Sequence, residues 1–302
     1  MKHLSGFVSL LGLPNAGKST LLNALVGAKV AIVSSKPQTT RSAIQGVLTL
    51  EGAQVIFIDT PGIHQGKLAI HGRMMQEVRE SLAERDLLVW VADASRGIQP
   101  EEADALRVIQ HAPAPKILAL NKVDLVSGKP QLLPLLEHYH KLELFDEFIP
   151  ISAQTGEGLD RLRKAILARL PEGPPYFPAD HFTDQPERHL AAELIREKAL
   201  ELARQEVPHA VAVLVDSWEE SGRLVRIAAT VYVERDGQKR IVIGAKGEML
   251  KRIGTGARLE MERLFGKKIF LELFVKVRKD WRESADFLNE LDWRKSLGGA
   301  AS

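Results

Sequence analysis

Gly12-Leu13-Pro14-Asn15-Ala16-Gly17-Lys18-Ser19 stands between an apolar run at 7–11 and a helix-period segment at 19–26. The octet matches G-x-x-x-x-G-K-[ST] in the strand-to-helix setting that the motif needs. Its glycines let the main chain wrap closely around phosphate groups. Its N–H groups converge at a helix N-terminus, where the dipole favours an anion. Lys18 is expected to reach the β- and γ-phosphates of a nucleotide, and Ser19 to offer its hydroxyl to Mg²⁺. All eight residues, with Thr20 behind them, are assigned to nucleotide binding.

Outward from this loop the chain alternates. Apolar runs at 55–58, 87–91, 117–120 and 148–151 are separated by helix-period segments such as 159–170. Short apolar runs between helices imply buried, mostly parallel strands, hence an α/β fold. The segments 43–50 and 54–58 flank Glu51-Gly52-Ala53, which reads as a hairpin, so one antiparallel edge strand is expected. Three further motifs end these strands. Asp59-Thr60-Pro61-Gly62 places an aspartate where it can hold Mg²⁺ through water, and Gly62 where its N–H can meet a γ-phosphate. Asn121-Lys122-Val123-Asp124 supplies a base reader. The Asp124 carboxylate can accept from guanine N1–H and N2–H₂, a donor pair that adenine lacks. Asn121 can bond guanine or neighbouring loops, and the Lys122 stem can lie over the base. Ser152-Ala153 fits a second guanine loop with a backbone N–H for O6.

Bulk composition agrees with a chain long enough for two cores: 302 residues, 45% hydrophobic and 26% charged. There is no cysteine, which excludes disulfides, thiolate catalysis and cysteine zinc sites and fits a reducing cytoplasm. No apolar run approaches the roughly 18 residues of a membrane helix. The run at 7–13 leads into the glycine-lysine motif rather than a cleavage site, so it reads as strand. Net charge is only +2, so any nucleic-acid surface must be local.

The composition breaks at Pro171, Pro174, Pro175, Pro178 and Pro186. Such a stretch sustains neither a helix nor a central strand. It divides a first domain at 1–170 from a second at 188–302, with 171–187 as a hinge-like linker. Beyond it a helix at 188–205, strands at 210–216 and 224–234, a turn at Asp236-Gly237, then Ile241-Val242-Ile243-Gly244, a helical stretch at 248–265 interrupted by glycine, and a strand at 269–277 give the order α-β-β-α-α-β.

The nucleotide motifs resemble those of the translation-factor-related GTPases. Within that class, Pro37-Gln38-Thr39-Thr40-Arg41 with Asp59-Thr60-Pro61-Gly62-Ile63-His64 is similar to the Era family of bacterial ribosome-assembly GTPases. The resemblance covers nearly the whole chain. It implies that Thr40 ligates Mg²⁺ beside Ser19 and Asp59 and touches the γ-phosphate, with Thr39 as the alternative. Ras-like relatives carry a water-orienting glutamine where this chain has Ile63, and His64 is its neighbour. Hydrolysis of GTP to GDP and phosphate would then be slow. It would rest on Lys18, Thr40, Gly62, the loop amides and Mg²⁺. By the same resemblance Asn15 would hold a K⁺ ion near the β- and γ-phosphates.

The second half resembles a type II KH domain, an α+β module. Gly244-Ala245-Lys246-Gly247 is a G-x-x-G loop of the kind that clamps the backbone of about four single-stranded nucleotides. From 239 to 282 there are 13 Lys or Arg against 5 Asp or Glu. That local excess seeks phosphate within a nearly neutral chain. Lys246, Lys251 and Arg252 are expected on phosphates, and Arg278, Lys279 and Arg282 as an extension of the surface. Ile243 and Ile253 read equally as core or as an apolar floor beneath bases, and Trp281 as core or as a stacking platform. The Era resemblance implies as partner the 3′ end of 16S ribosomal RNA in 30S assembly, with GTP gating the RNA half. It also implies peripheral contact with the inner face of the cell membrane. Alternatives are another translation or RNA-modification GTPase, a membrane-associated cell-cycle signalling GTPase, and an RNA-binding scaffold with a vestigial nucleotide site.

Overall fold

The computed structural model describes residues 3–34, 36, 39–63, 68–83, 85–202 and 210–298. The chain forms two compact units. The first comprises Met1–Ala31, Thr40–Gly66 and His71–Asp184, and the second comprises Ile32–Thr39, Lys67–Ile70 and Gln185–Ser302.

The first unit runs β1 (Leu4–Leu11), α1 (Lys18–Val26), β2 (Ile44–Leu50), β3 (Ala53–Asp59), α2 (Ala69–Glu80, whose first two residues belong to the second unit), β4 (Leu87–Asp93), α3 (Glu102–Gln110), β5 (Lys116–Asn121), α4 (Leu133–His140), β6 (Glu147–Pro150) and α5 (Leu159–Leu167). The sheet order is β2-β3-β1-β4-β5-β6, parallel except for the β2–β3 hairpin at one edge. β3 and β5 are buried at every residue, as strands covered on both faces must be. One face carries Leu21, Leu22 and Leu25 of α1 with Leu162 and Ile166 of α5. The other carries Trp90, Ile109, Leu118 and Tyr139. Inside that second layer the buried Glu102 accepts from Trp90 Nε1 at 2.9 Å and Tyr139 Oη at 2.8 Å, so no donor is stranded. The chain passes from β1 to one side of the sheet, then returns to add β4 on the other side. The crevice beyond the carboxyl end of β1 is therefore the topological switch point, where open α/β sheets bind ligands.

The proline-rich stretch is not a slack hinge as far as Asp184. Ser5 N donates to Pro171 O at 3.1 Å, and Gly173 N to His3 O at 3.0 Å. The wholly buried Gln54 accepts from Tyr176 N and Phe177 N at 2.7 and 2.9 Å and donates to Phe177 O at 2.9 Å. Val47 N bonds Phe182 O at 2.9 Å, and Thr183 Oγ1 donates to Gln45 O at 2.7 Å. Prolines do forbid regular structure here, but one amide side chain and two strands satisfy the main chain instead.

In the second unit α6 (Glu187–Leu202) precedes β7 (Ala212–Ser221), β8 (Leu224–Val233), α7 (Asp236–Ile243), α8 (Glu248–Phe265), β9 (Lys268–Val277), α9 (Ala285–Glu290) and α10 (Trp293–Gly298). β8 pairs antiparallel with β7 and parallel with β9. The parallel pair requires a crossover, which α7 and α8 supply. Asp236-Gly237 is the first turn of α7 rather than a free turn. Gln238 Oε1 reaches back to Glu234 N and Arg235 N at 2.9 and 3.0 Å, satisfying donors just before the helix. α8 runs unbroken where its glycines suggested an interruption. The buried stripe of Ile253, Ala257 and Met261 outweighs their low propensity. Ile253 is 0% exposed among the residues of this core, so it is no floor for bases. Trp281 is likewise core, with Nε1 donating to Ala210 O at 2.9 Å, and Phe287 packs edge-on to it.

Ile253→Val should therefore lower unfolding free energy by about 0.5–1.5 kcal/mol in urea titrations.

Candidate functional site

The loop 12–19 lies at the switch point, between the end of β1 and the start of α1. Asn15 takes φ 63°, a left-handed conformation that asparagine tolerates better than most residues. Lys18 curls back over the loop, donating from Nζ to Gly12 O at 3.1 Å and Leu13 O at 3.0 Å. Burial draws its ammonium down to about 8, against the pull of Asp59. Burial pushes the Asp59 carboxyl up to about 6, opposed by Lys18 and by the Ser19 and Thr40 hydroxyls. Burial thus disfavours the charge on each group, and each partner's field resists that shift.

Ser19, Thr40 and Asp59 meet as expected. Ser19 Oγ donates to Asp59 Oδ2 at 2.6 Å and lies 2.9 Å from Thr40 Oγ1, which is 3.3 Å from Asp59 Oδ2. Thr39 turns away, donating to Lys36 O at 2.6 Å, so the hydroxyl in the site is that of Thr40. Asp59 Oδ1 is buried with no hydrogen-bond partner among the described residues. An unspent carboxylate oxygen beside two hydroxyls is a hard-oxygen set that fits Mg²⁺, an ion usually held by one or two carboxylates plus substrate phosphates.

The loop after Asp59 approaches closely. A Cβ on Gly62 would come within 2.7 Å of Pro14 Cα and N, so only glycine allows this crossing. Thr60 does not face the phosphate loop, because its hydroxyl donates to Leu10 O at 2.8 Å. Ile63 is 4% exposed and packed in the apolar layer behind the sheet, with its N–H on Gly12 O at 3.1 Å. It offers nothing to orient water. His64 lies outside the described residues.

Asn121 is a brace. Its Nδ2 donates to Ala16 O at 2.8 Å and its Oδ1 accepts from Ala153 N at 2.9 Å, tying the phosphate loop to the 152–153 loop. The Ala153 N–H is thereby spent on Asn121 rather than offered to guanine. Ser152 is wholly buried and accepts from Thr155 N at 3.1 Å, which shapes the turn. Lys122 Nζ donates to Asn15 O at 2.7 Å and pairs with Asp93 Oδ2 at 2.6 Å, so its stem crosses the loop. Asp93 escaped the sequence analysis. It ends β4 as Asp59 ends β3 and Asn121 ends β5, and that shared position is the signal that could have found it. Asp124 sits on a 3-10 turn over Val123–Leu125 with its side chain exposed.

In the second unit the G-x-x-G loop joins α7 to α8. A Cβ on Gly244 would lie 2.6 Å from Met249 Cβ, and Lys246 is held at φ 50°. Ala245, Lys246, Lys251 and Arg252 are exposed near the N-terminus of α8, where N–H groups and ammonium charge favour phosphate. Gly247 and Ile243 are half-buried. Arg282 does not extend this surface freely. It forms a fork on Glu234 at 2.9 and 2.5 Å. Arg278 lies over the Phe287 ring, 4.1 Å from its centroid, and 3.5 Å from Glu290, while Lys279 is exposed.

The first unit is thus the nucleotide-binding domain of a P-loop GTPase. Residues 7–122 match the family described as 50S ribosome-binding GTPase, and residues 206–282 match the KH domain family. The GTPase Era of Geobacter metallireducens is 50% identical over 291 residues, covering 96% of this chain and 97% of that protein. That of Syntrophus aciditrophicus is 47% identical over 293 residues, covering 96% and 95%. The chain belongs to the Era family of GTPases. Among solved structures, Era in complex with MgGDPNP and nucleotides 1506–1542 of 16S ribosomal RNA superposes with a TM-score of 0.94 at 40% identity, covering 96% of this chain and 99% of that one. A variant of Aquifex aeolicus Era bound to GDP and AlF4⁻ gives 0.92 at 41%, covering 97% and 99%.

Asp124→Asn should weaken GTP binding by about 100-fold. It should also favour xanthosine triphosphate, whose 2-carbonyl can accept from the new amide. Competition between the two nucleotides measures both changes.

Proposed function

We propose that the chain is a GTP-hydrolysing switch whose KH unit binds single-stranded RNA at the 3′ end of small-subunit ribosomal RNA during 30S assembly, in the cytoplasm. Residues 1–170 form the GTPase domain and 188–302 the RNA-binding one. The observation that carries the reading is the convergence of Lys18, Ser19, Thr40 and Asp59 at the mouth of one loop, in a chain that also presents a basic G-x-x-G loop between two helices. Two features accompany it: the family membership, and the relative that holds MgGDPNP and 16S ribosomal RNA together.

Lys18 and the loop amides would bind the β- and γ-phosphates. Ser19, Thr40 and Asp59 would hold Mg²⁺, with Asp59 acting through water. That ion supplies charge neutralisation at the phosphates when bound. Gly62 places its N–H toward the γ-phosphate. Since Ile63 is buried apolar surface, no side chain there activates water, and hydrolysis rests on positioning and charge. Its intrinsic rate is accordingly low. Asn15, set on the outer turn of the loop, would hold K⁺ near the phosphates. Asp124 selects guanine, while Asn121 and Lys122 keep the base loops in register with the phosphate loop. In the second unit Lys246, Lys251, Arg252 and Lys279 contact the RNA backbone. The nucleotide state gates that binding, and RNA alters the preference for GTP over GDP by the same factor.

Crosslinking to small-subunit RNA with GTP analogue, GDP or no nucleotide tests the whole reading. Yield should differ between the first two, and equal yields would remove the gating. Lys246→Ala should reduce the slope of log affinity against log salt by about 0.7 for a single-stranded ligand. Hydrolysis should be faster in KCl than in equimolar NaCl, and equal rates would remove K⁺ from Asn15.

A further inference from the structure

The segment that leads into Thr40 is fastened at both ends to α6. Ile32 lies in the apolar core of the second unit with Ala191, Leu194 and Ile195. Glu197, 1% exposed, accepts from Val33 N at 2.8 Å. Arg196, 2% exposed, donates from Nη2 to the carbonyl oxygen of Thr39, and its Nε bonds Glu193 Oε1 at 2.7 Å. A guanidinium buried this deeply is costly unless it is paired, and an apolar side chain usually serves packing better. Glu193 pairs its charge, and among the described residues the main-chain oxygen that it recognises is that of Thr39.

The residue after that oxygen is Thr40, whose hydroxyl stands on Ser19 and Asp59. The peptide from Thr39 to Thr40 is planar, so holding the Thr39 carbonyl fixes the plane from which Thr40 departs. We propose that Arg196 is a positioning residue for the nucleotide site: clamped by Glu193, it holds the Thr39 carbonyl and thereby aims the Thr40 hydroxyl at Ser19 and Asp59. The proposal rests on the reading of Thr40 as the switch threonine. If Thr40 swings out and carries the Thr39 carbonyl with it, the buried guanidinium keeps Glu193 but loses its main-chain acceptor, so the retracted state is disfavoured. By linkage, whatever shifts Arg196 on α6 changes how readily Thr40 takes its place.

The test is a double-mutant cycle on the full-length protein with Arg196→Met and Thr40→Ala, reading kcat, the Mg²⁺ midpoint of hydrolysis and GDP affinity. Arg196→Met should lower kcat about tenfold, the loss expected of one hydrogen bond from a charged donor. It should raise the Mg²⁺ midpoint and leave GDP affinity within about twofold. In the Thr40→Ala background it should have no further effect on kcat, because the residue through which it acts is gone. Arg196→Lys, which keeps the charge but gathers its donors on one nitrogen without the planar fork, should recover part of kcat. It goes through the same cycle and decides the matter if the methionine variant does not fold. Losses that multiply, or a lower Tm with kcat and Mg²⁺ midpoint unchanged, would overturn the proposal and leave Arg196 a structural residue. If Thr40→Ala alone hydrolysed GTP at the wild-type rate, the assignment of Thr40 would fail first and take the proposal with it, an outcome distinct from failure at Arg196.

Discussion

A lysine ammonium and an aspartate carboxylate are both buried at the carboxyl edge of one sheet, and the nucleotide site is arranged around keeping them charged there. Lys18 is 6% exposed and Asp59 is 0% exposed. Ions removed from water cost several kcal/mol each unless partners replace the solvent. Lys18 also begins a helix, at the end where the dipole disfavours a cation. Two loop carbonyls and the field of Asp59 compensate in part. A helix N-terminus and one ammonium thus stand together at the loop, a pairing that a polyphosphate would neutralise. Asp59, with one oxygen bonded by hydroxyls and the other unspent, carries the complementary demand for a cation.

The remaining loops serve that arrangement by bracing rather than by contact. Asn121 joins the phosphate loop to the 152–153 loop, and Lys122 with Asp93 crosses it from the other side. Asn121 and Lys122 are thus tied down by bonds from their side chains to main-chain groups and to Asp93. Asp124, which must meet a ligand, is left exposed. The second unit uses the same chemistry in an open form. Its glycine loop also precedes a helix and also carries a lysine, but Lys246 stands in water. A buried lysine grips one ligand tightly. An exposed one exchanges among backbone phosphates and is weakened by salt.

Local signals carried most of this into the sequence. The phosphate loop, the strand-ending Asp59 and Asn121, the 51–53 hairpin and the G-x-x-G loop are contiguous motifs whose spacing alone fixes their geometry. What stayed hidden depends on partners distant in sequence. Thr39 and Thr40 differ only in which way each side chain turns. Arg282 counts as a free cation in composition, yet its charge is forked on Glu234. The prolines of 171–178 announce irregular chain, but nothing near them shows that Gln54, more than 120 residues earlier, clasps it. Asp236-Gly237 reads as a turn until Gln238 reaches back to cap it.

Trp281, Phe287 and Leu288 follow the last strand of the second unit, and all three are buried. The segment matching the KH family stops at 282, so two of these three side chains lie beyond it. The recognisable module and the thermodynamic module therefore have different limits. A fragment cut where the family likeness ends would leave the ring of Tyr232 without the Phe287 edge that covers it, 4.9 Å away. It would expose apolar surface on Trp281, whose ring packs against Phe287 and whose Nε1 bonds Ala210 just before β7. Anyone dissecting this half into an independent RNA-binding piece should set the boundary past the α9 helix, by the extent of the core rather than by the extent of the homology.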